Sequence, residues 1–344
     1  MDEIERYIKE RRISIGNSIK SKKKIYLDTN YWILLQNQSR ESDNSKRILL
    51  NTVIELSQSG KCIFPISEVT FWEVLKQADI ITRKETIGII DFLSNGISLI
   101  ARREIIQLEL MRFARKFDSG ELYENHELVW DRIAFLGMPI PQSSISIDMF
   151  KRLLDFLEER TLTELINIAY QDAQLPIFTF KDNVELLNKW KRENINRPHS
   201  EVFKEDVREF VKEYIGIYNI VMVYLYTKKT GKTPTSEEIN SVDVNPWINI
   251  VTHLVLNNKV NTDLSSLTVI PRLFAIHLRN KTQIFKDGND TMDYMHASFA
   301  LPFCDCFFTE KRLKSQIQKG KLDEMYSCIV ESSEEKVIEI LNLL

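Results

Sequence analysis

Ile25-Tyr26-Leu27-Asp28-Thr29-Asn30 is the stretch of the chain that decides its fold. Three apolar residues stop at an acid, which predicts a short buried strand with a carboxylate at its C-terminal end. Thr29 or Asn30 can then cap a helix over residues 31–36. Open parallel sheets place their sites beyond the carboxyl ends of the strands, so Asp28 is a candidate site residue. The alternative is that Asp28 only caps the helix.

The segments around this stretch alternate between strand and helix signals. An amphipathic helix over residues 45–59 ends at Gly60, a second strand covers 62–65, and another helix begins after Ser67. After residue 288 the alternation returns, with strands over 304–308 and 325–330 and helices over 291–301, 311–319 and 333–344. This order favours a parallel α/β sheet.

Length and composition limit the fold further. The chain has 344 residues, enough for about two domains. Its 10 glycines and 9 prolines are too few for a many-stranded sandwich or barrel, and they favour long helices. The formal net charge of −3 excludes a generally basic surface, so any surface for nucleic acid must be local.

The pattern divides the chain into three parts. Residues 1–20 predict a short charged helix and a linker. Strand signals nearly vanish over 83–285, where helical periodicity predicts an all-helical insertion. Residues 21–82 and 286–344 are each too small to hold a sheet, so we expect them to form one discontinuous α/β domain.

The expected location follows from signals that the sequence lacks. No apolar run approaches the roughly 20 residues that a membrane span needs, and the charged N-terminus has no signal-peptide core. The four cysteines are scattered, and Cys304 and Cys306 form a C-x-C pair with no second pair to complete a zinc site. We therefore expect reduced cysteines, a cytoplasmic protein and no membrane partner.

Acids recur on the predicted helices of the two α/β segments. Glu73 lies one to two turns into the helix after the second strand, where its carboxylate could reach back toward Asp28; a solvated helix acid is the alternative. Asp290 and Asp293 are three residues apart and share one helix face. A cap at Asp290 and an acid in the first turn at Asp293 would also be an ordinary helix start.

A further acid follows the strand predicted over 304–308. Glu310 lies at its C-terminal end, while Asp305 stays a candidate because a predicted boundary can shift by about two to four residues. Three or four carboxylates at one sheet edge cost several kcal/mol unless a divalent cation neutralises them. Oxygen ligands select hard metals, Mg²⁺ or Mn²⁺, which activate water and hold a phosphate.

The motifs that carry these acids resemble those of the PIN-domain nucleases. The motifs are Ile25-Tyr26-Leu27-Asp28-Thr29-Asn30, Ile66-Ser67-x-x-Thr70-x-x-Glu73-Val74-Leu75, and Asp293-x-x-His296-Ala297 leading to Phe307-Phe308-Thr309. In this resemblance Asp28 matches the family's first acid, Glu73 its helix acid and Asp293 the acid that opens its penultimate helix. Where the family often has Thr-x-Asp, this chain has Glu310 one position early. The stretch 289–313 looks like a bacterial PIN-like subgroup.

The resemblance implies a PIN-like α/β/α parallel sheet, here split by the all-helical insertion, and metal-dependent hydrolysis of phosphodiesters. We expect Asp28 and Asp293 to be the core ligands of Mg²⁺ or Mn²⁺, with Glu310, Asp290 and Glu73 completing the shell directly or through water. The expected activity is that of an endonuclease acting on RNA rather than DNA, although no 2′-hydroxyl is required and DNA stays open. The subgroup implies a toxin or phage-defence role.

Basic residues near the last acid could help to bind such a substrate. Lys311, Arg312 and Lys314 follow Glu310 directly, and Arg279 lies on the helix that enters the second α/β segment. They could form a local rim for a phosphate backbone, or simply a solvated helix face. We expect nucleic acid as a partner, and a second copy of the chain or another protein at the helical insertion.

His296 follows Asp293 by three residues, so it could orient that carboxylate or be a buried structural histidine. Two other functional classes stay open. One is a catalytically inactive PIN-like scaffold that binds nucleic acid or protein, which the departure at Glu310-Lys311 supports. The other is a helical interaction protein whose acids are caps and surface charges.

Overall fold

The computed structural model describes residues 3–116, 125–136, 146–158, 160–170, 181–280, 284–285 and 289–344. The described chain is a mixed α/β protein in which helices predominate, and its main sheet has four parallel strands. The strands are β1 Lys23–Leu27, β2 Cys62–Ile63, β3 Ile97–Leu99, β4 Trp130–Arg132, β5 Cys306–Phe308 and β6 Ile329–Glu331. The main sheet has the order β2-β1-β5-β6, which confirms the expected parallel α/β sheet.

Helices surround and connect these strands. Before β4 they are α1 Glu3–Ser18, α2 Thr29–Ser39, α3 Ile48–Gln58, α4 Glu68–Leu75, α5 Ile80–Ser94, α6 Arg102–Arg115 and α7 Asn125–Leu128. Between β4 and β5 they are α8 Ile147–Glu158, α9 Leu162–Tyr170, α10 Lys181–Asn194, α11 His199–Lys212, α12 Ile215–Thr230, α13 Ser236–Ser241, α14 Asn245–Leu256, α15 Ser265–Arg279 and α16 Asn289–Phe303. The last three are α17 Lys311–Lys319, α18 Leu322–Tyr326 and α19 Glu334–Asn342.

The chain forms two compact units. The first comprises the described residues of Met1–Ala101, His126–Thr179 and Thr291–Leu344, and the second those of Arg102–Asn125 and Phe180–Asp290. The borders between the two units therefore differ from the borders that were expected for a helical insertion over residues 83–285. Each unit has its own apolar core.

The expectation that 83–285 is all-helical is wrong at β3 and β4, which pair antiparallel within the first unit. A bridge between Ile66 and Ser98 joins β3 to the chain just beyond β2. Asn95 and Gly96 take left-handed backbone angles, φ 50° and 70°, and turn the chain from α5 into β3. Strands of three residues are too short to show a period in the sequence, which is why they were not expected.

Side chains of the central strands alternate between the two faces of the main sheet. Ile25, Leu27, Cys306 and Phe308 pack into the core of the first unit, which α2, α3, α5 and α19 complete. Tyr26 lies on the opposite face, where its ring meets Phe307 at 5.7 Å between centroids. This alternation directs the Tyr26 hydroxyl toward α4 and α16, which supply its hydrogen-bond partners.

Helix α1 is fixed to β4 by buried ion pairs. Arg11 Nη2 lies 2.6 Å from Asp131 Oδ1, and Arg12 Nε lies 2.9 Å from Asp131 Oδ2. Gly16 permits the close approach of this helix, because a Cβ at that position would lie 2.7 Å from the Glu127 carbonyl oxygen. The predicted N-terminal helix is thus an integral part of the first unit.

The second unit is a helical bundle, and the acid Glu109 is buried in it. Apolar residues of α6, α11, α12, α14 and α15 form its core. Glu109 of α6 accepts hydrogen bonds from the Ser265 hydroxyl and, at 3.1 Å, from the Ser266 backbone N–H. Glu109 therefore caps the N-terminus of α15 from a neighbouring helix. Within the ranges that the structure describes, no helix has the length and apolar character of a membrane span.

Candidate active site

The candidate site lies where the connections of the main sheet diverge. Strands β1 and β5 are neighbours at its centre, and the chain leaves β1 toward β2 on one side and β5 toward β6 on the other. Ligands of open parallel sheets bind at such a switch point, beyond the carboxyl ends of the strands. The Asp28 N–H donates to the Phe308 carbonyl at 3.1 Å, and the Thr309 N–H to the Glu331 carbonyl at 2.9 Å. Asp28 and the Thr309-Glu310 pair thus leave the sheet side by side.

Asp28 is both a helix cap and an available ligand. Its Oδ1 accepts from the Tyr31 backbone N–H at 3.2 Å, which caps α2. Its Oδ2 is buried and has no hydrogen-bond partner of normal geometry among the described residues, and the same holds for the nearby Thr309 hydroxyl. Burial is the main cause that raises the pKa of Asp28; the Thr309 hydroxyl and the His296 charge oppose it only in part. A buried carboxylate oxygen without a well-formed hydrogen bond is costly until a proton, a water molecule or a cation satisfies it.

Asp293 and Glu310 face each other across Arg312. Arg312 Nη2 lies 3.4 Å from Asp293 Oδ2, and Arg312 Nε lies 3.2 Å from Glu310 Oε1. Burial raises the pKa of Asp293, and the negative charges of Glu310 and Asp28 raise it further. Asp293 is therefore close enough to Glu310 and Asp28 for their charges to affect its titration.

Glu73 is in a different electrostatic state. Burial raises the pKa of Glu73, but the hydrogen bond and positive charge of His296 outweigh it, and the net shift is downward. Glu73 Oε2 accepts from His296 Nε2 at 2.8 Å and from the Thr29 hydroxyl. Its negative charge is thus already compensated by the protein.

His296 contacts Glu73 rather than Asp293, the carboxylate that it was expected to orient. Its other ring nitrogen, Nδ1, lies 2.8 Å from the Tyr26 hydroxyl, which in turn lies 2.6 Å from Ser67 Oγ and 3.2 Å from Thr70 Oγ1. Sequence reasoning did not identify Tyr26, Ser67 or Thr70 as site residues. The available signal was a phenol in an otherwise apolar strand, because a buried Tyr hydroxyl usually finds a partner.

Asp305 lies at the opposite end of β5. It accepts from the Lys24 backbone N–H at 2.9 Å and pairs with Lys23 Nζ at 2.9 Å. A cavity of about 320 Å³ adjoins this end and is lined in part by Lys24, Trp130 and Asp305. Of the two acids considered for this strand, Glu310 lies at the candidate site.

Four further residues were predicted to belong to the site: Lys311, Lys314, Arg279 and Asp290. Lys314 Nζ lies 2.5 Å from Glu331 Oε1, so its charge is largely neutralised, whereas Lys311 is exposed. Arg279 and Asp290 belong to the second unit, where Asp290 is buried. Their parts in the site stay predictions.

The donor set fits a hard cation, although the side chains do not form a finished coordination shell. Among the described residues, no three His, Cys, Asp or Glu side chains stand together as a metal-binding group. Asp28 nevertheless has a free buried oxygen, and Asp293 and Glu310 share a single guanidinium. Carboxylate oxygens are the kind of ligand that Mg²⁺ and Mn²⁺ prefer.

No protein-family model, curated protein or solved structure matches this chain. What the site can do therefore rests on its geometry and chemistry.

Proposed function

We propose that this protein is a PIN-like nuclease that hydrolyses phosphodiester bonds with Mg²⁺ or Mn²⁺, acting as an endonuclease on RNA rather than DNA. One observation carries the proposal: buried Asp28, with an unpaired oxygen, shares the switch-point crevice with Asp293 and Glu310. Such crowded carboxylates are costly without a cation. The resemblance of the three motifs to PIN-domain nucleases supports the same reaction, and the bacterial subgroup supports a toxin or phage-defence role.

Asp28 and Asp293 would hold the metal, with Glu310 as a third ligand. When bound, the metal would lower the pKa of a water molecule and stabilise charge on the phosphate. Arg312 would then exchange its carboxylate contacts for a phosphate oxygen, which its planar guanidinium can bind. Lys311 is exposed beside Arg312 and would strengthen the attraction of the nucleic-acid backbone.

The test is cleavage of mixed RNA and DNA substrates with Mn²⁺, comparing wild type with Asp28→Asn. Asp305→Asn is the matched control, because it removes the same charge at the other end of the central strands. We expect Asp28→Asn and EDTA each to abolish cleavage and Asp305→Asn to leave it unchanged. Cleavage that survives thorough chelation would contradict the metal assignment.

A catalytically inactive PIN-like scaffold that binds nucleic acid or protein is the second candidate. The Arg312 contacts favour it, since a guanidinium already supplies a positive charge to Asp293 and Glu310. Calorimetry separates the two candidates: the scaffold binds RNA without a Mn²⁺ signal, whereas the nuclease binds Mn²⁺ through Asp28.

A further inference from the structure

The acids of the crevice fall into two electrostatic groups. Asp28 is buried, and the partly buried Asp293 shares the Arg312 guanidinium with Glu310. Glu73 instead has a buried histidine and a hydroxyl bonded to the same oxygen, Oε2. A divalent cation therefore relieves repulsion at the first pair, while at Glu73 Oε2 it would have to displace two hydrogen-bond donors.

Glu73 belongs to a hydrogen-bonded chain that runs through the interior of the first unit. From the Ser67 hydroxyl the chain passes through the Tyr26 hydroxyl, the His296 ring and Glu73 to the Thr29 hydroxyl. Ser67 and Tyr26 are completely buried and His296 is 1% exposed. A buried, fully bonded chain of this kind has few alternative arrangements, so it fixes the position of its last member.

The last member, Thr29, is the first residue of α2 and follows Asp28 directly. Its side chain is tied to Glu73 on α4, and the backbone of α2 is tied to Asp28 by the cap at Tyr31. The orientation of Asp28 is therefore determined from two sides. Ligands held in this way keep their geometry before the metal arrives.

We propose that Glu73 is a support for the metal site rather than a metal ligand, and that His296 and Tyr26 are positioning residues that hold Glu73 and, through Thr29, the Asp28 ligand. This inference rests on the proposed function, because it assigns the parts of the same site. It differs from the expectation drawn from the PIN resemblance, in which Glu73 completes the metal shell.

The experiment measures Mn²⁺ binding to the 344-residue chain by calorimetry. Wild type is compared with Asp28→Asn, Glu73→Gln, His296→Gln and the double variant Glu73→Gln/His296→Gln. We expect Asp28→Asn to remove detectable binding and each support variant to weaken it roughly 10-fold, as is usual when a residue behind a metal ligand is changed. The double variant keeps a neutral hydrogen-bonded pair, so we expect it to bind no more weakly than either single variant.

The opposite pattern overturns the inference. If Glu73 is a ligand, Glu73→Gln weakens Mn²⁺ binding as much as Asp28→Asn does, and the loss adds to that of His296→Gln. A wild type that binds no Mn²⁺ overturns the proposed function, and with it the support role. Binding to wild type with additive losses overturns the support role alone.

Two further measurements guard against loss of the fold. Thr29→Val removes one partly exposed hydroxyl, and we expect it to weaken Mn²⁺ binding while Thr29→Ser restores it; equal binding by the Val variant and wild type contradicts the support role. In EDTA, the NMR signal of the His296 Nε2–H proton should persist in wild type and Asp28→Asn and disappear in Glu73→Gln. Its absence from wild type would exclude the hydrogen-bonded chain.

Discussion

The Arg312 guanidinium lies 3.4 Å from Asp293 and 3.2 Å from Glu310, two of the proposed metal ligands. The pair is partly exposed, so its attraction is modest. On the proposed function, arginine and metal would compete for the same carboxylates, and exchange of one for the other would make the site active.

Arg312→Gln removes this competitor. We expect Mn²⁺ to bind roughly 3- to 10-fold more tightly, because about 1 kcal/mol of the existing ion pair no longer has to be broken. RNA should bind more weakly, since a phosphate contact is lost. Calorimetry with Mn²⁺ and with a short RNA measures both effects. Lys311→Gln is the control, and tighter Mn²⁺ binding in that variant would mean that only net charge matters.

Asp28→Asn should stabilise the metal-free protein. Folding raises the pKa of Asp28 above its ordinary value of 3.8, so its charged form costs stability once the pH rises above that value. Asn keeps the cap at Tyr31, and we expect a gain of about 1 kcal/mol at neutral pH. Thermal melts with EDTA and with Mn²⁺ measure the gain and the loss of metal-induced stabilisation. Equal stabilisation of variant and wild type by Mn²⁺ would show that Asp28 is not a ligand.

Glu109 should make the second unit less stable as the pH rises. Burial raises the pKa of Glu109 from 4.5 to about 8, although Ser265 and Ser266 oppose the shift. A raised carboxyl pKa gives stability that is fully present below pH 4.5 and is lost as the pH rises through about 8. Glu109→Gln keeps an acceptor for the Ser266 N–H without a titrating group. Denaturant unfolding from pH 5 to 9 should show the variant gaining on wild type by several kcal/mol; parallel curves would contradict the assignment.

Asp131→Asn should strongly destabilise the first unit. The side chain is buried and pairs with both Arg11 and Arg12, so its neutralisation removes a negative charge that the two guanidinium groups share. Breaking such a pair costs about 3–5 kcal/mol. Asp155→Asn is the control, because the Asp155 contact with Tyr7 is exposed and should contribute little. A comparable loss in both variants, measured by denaturant unfolding, would contradict the role of the buried pairs.

Local sequence patterns were enough to predict the parallel main sheet and the acids that follow its central strands. Asp28 and Glu310 follow apolar runs, and a parallel sheet brings such strand ends together regardless of the length of chain between them. The predicted last strand over 325–330 begins later, at Ile329, because Met325 and Tyr326 complete α18. Intrinsic propensity is a weak guide to the boundaries of helices and strands as short as these, because tertiary contacts override it.

Contacts between residues far apart in the sequence could not be predicted from local sequence patterns. The partners of His296 are Glu73 and Tyr26, which are 223 and 270 positions away, and nothing in the spacing of Asp293 and His296 favours them over Asp293 itself. The pairing of Arg312 with Asp293 depends likewise on how α16 and α17 pack. These choices are made by tertiary packing, which a single sequence does not display.

The pairing of β1 with β5 determines when the crevice can form during translation. Lys24 and Asp305 bond across these strands although 281 positions separate them. A ribosome makes Asp28 well before Asp293 and Glu310, which follow it by 265 and 282 positions. Closing so long a loop is entropically costly and makes folding slow. A nascent chain that has not yet reached β5 therefore cannot assemble the crevice, and on the proposed function it could not cut the RNA from which it is being translated.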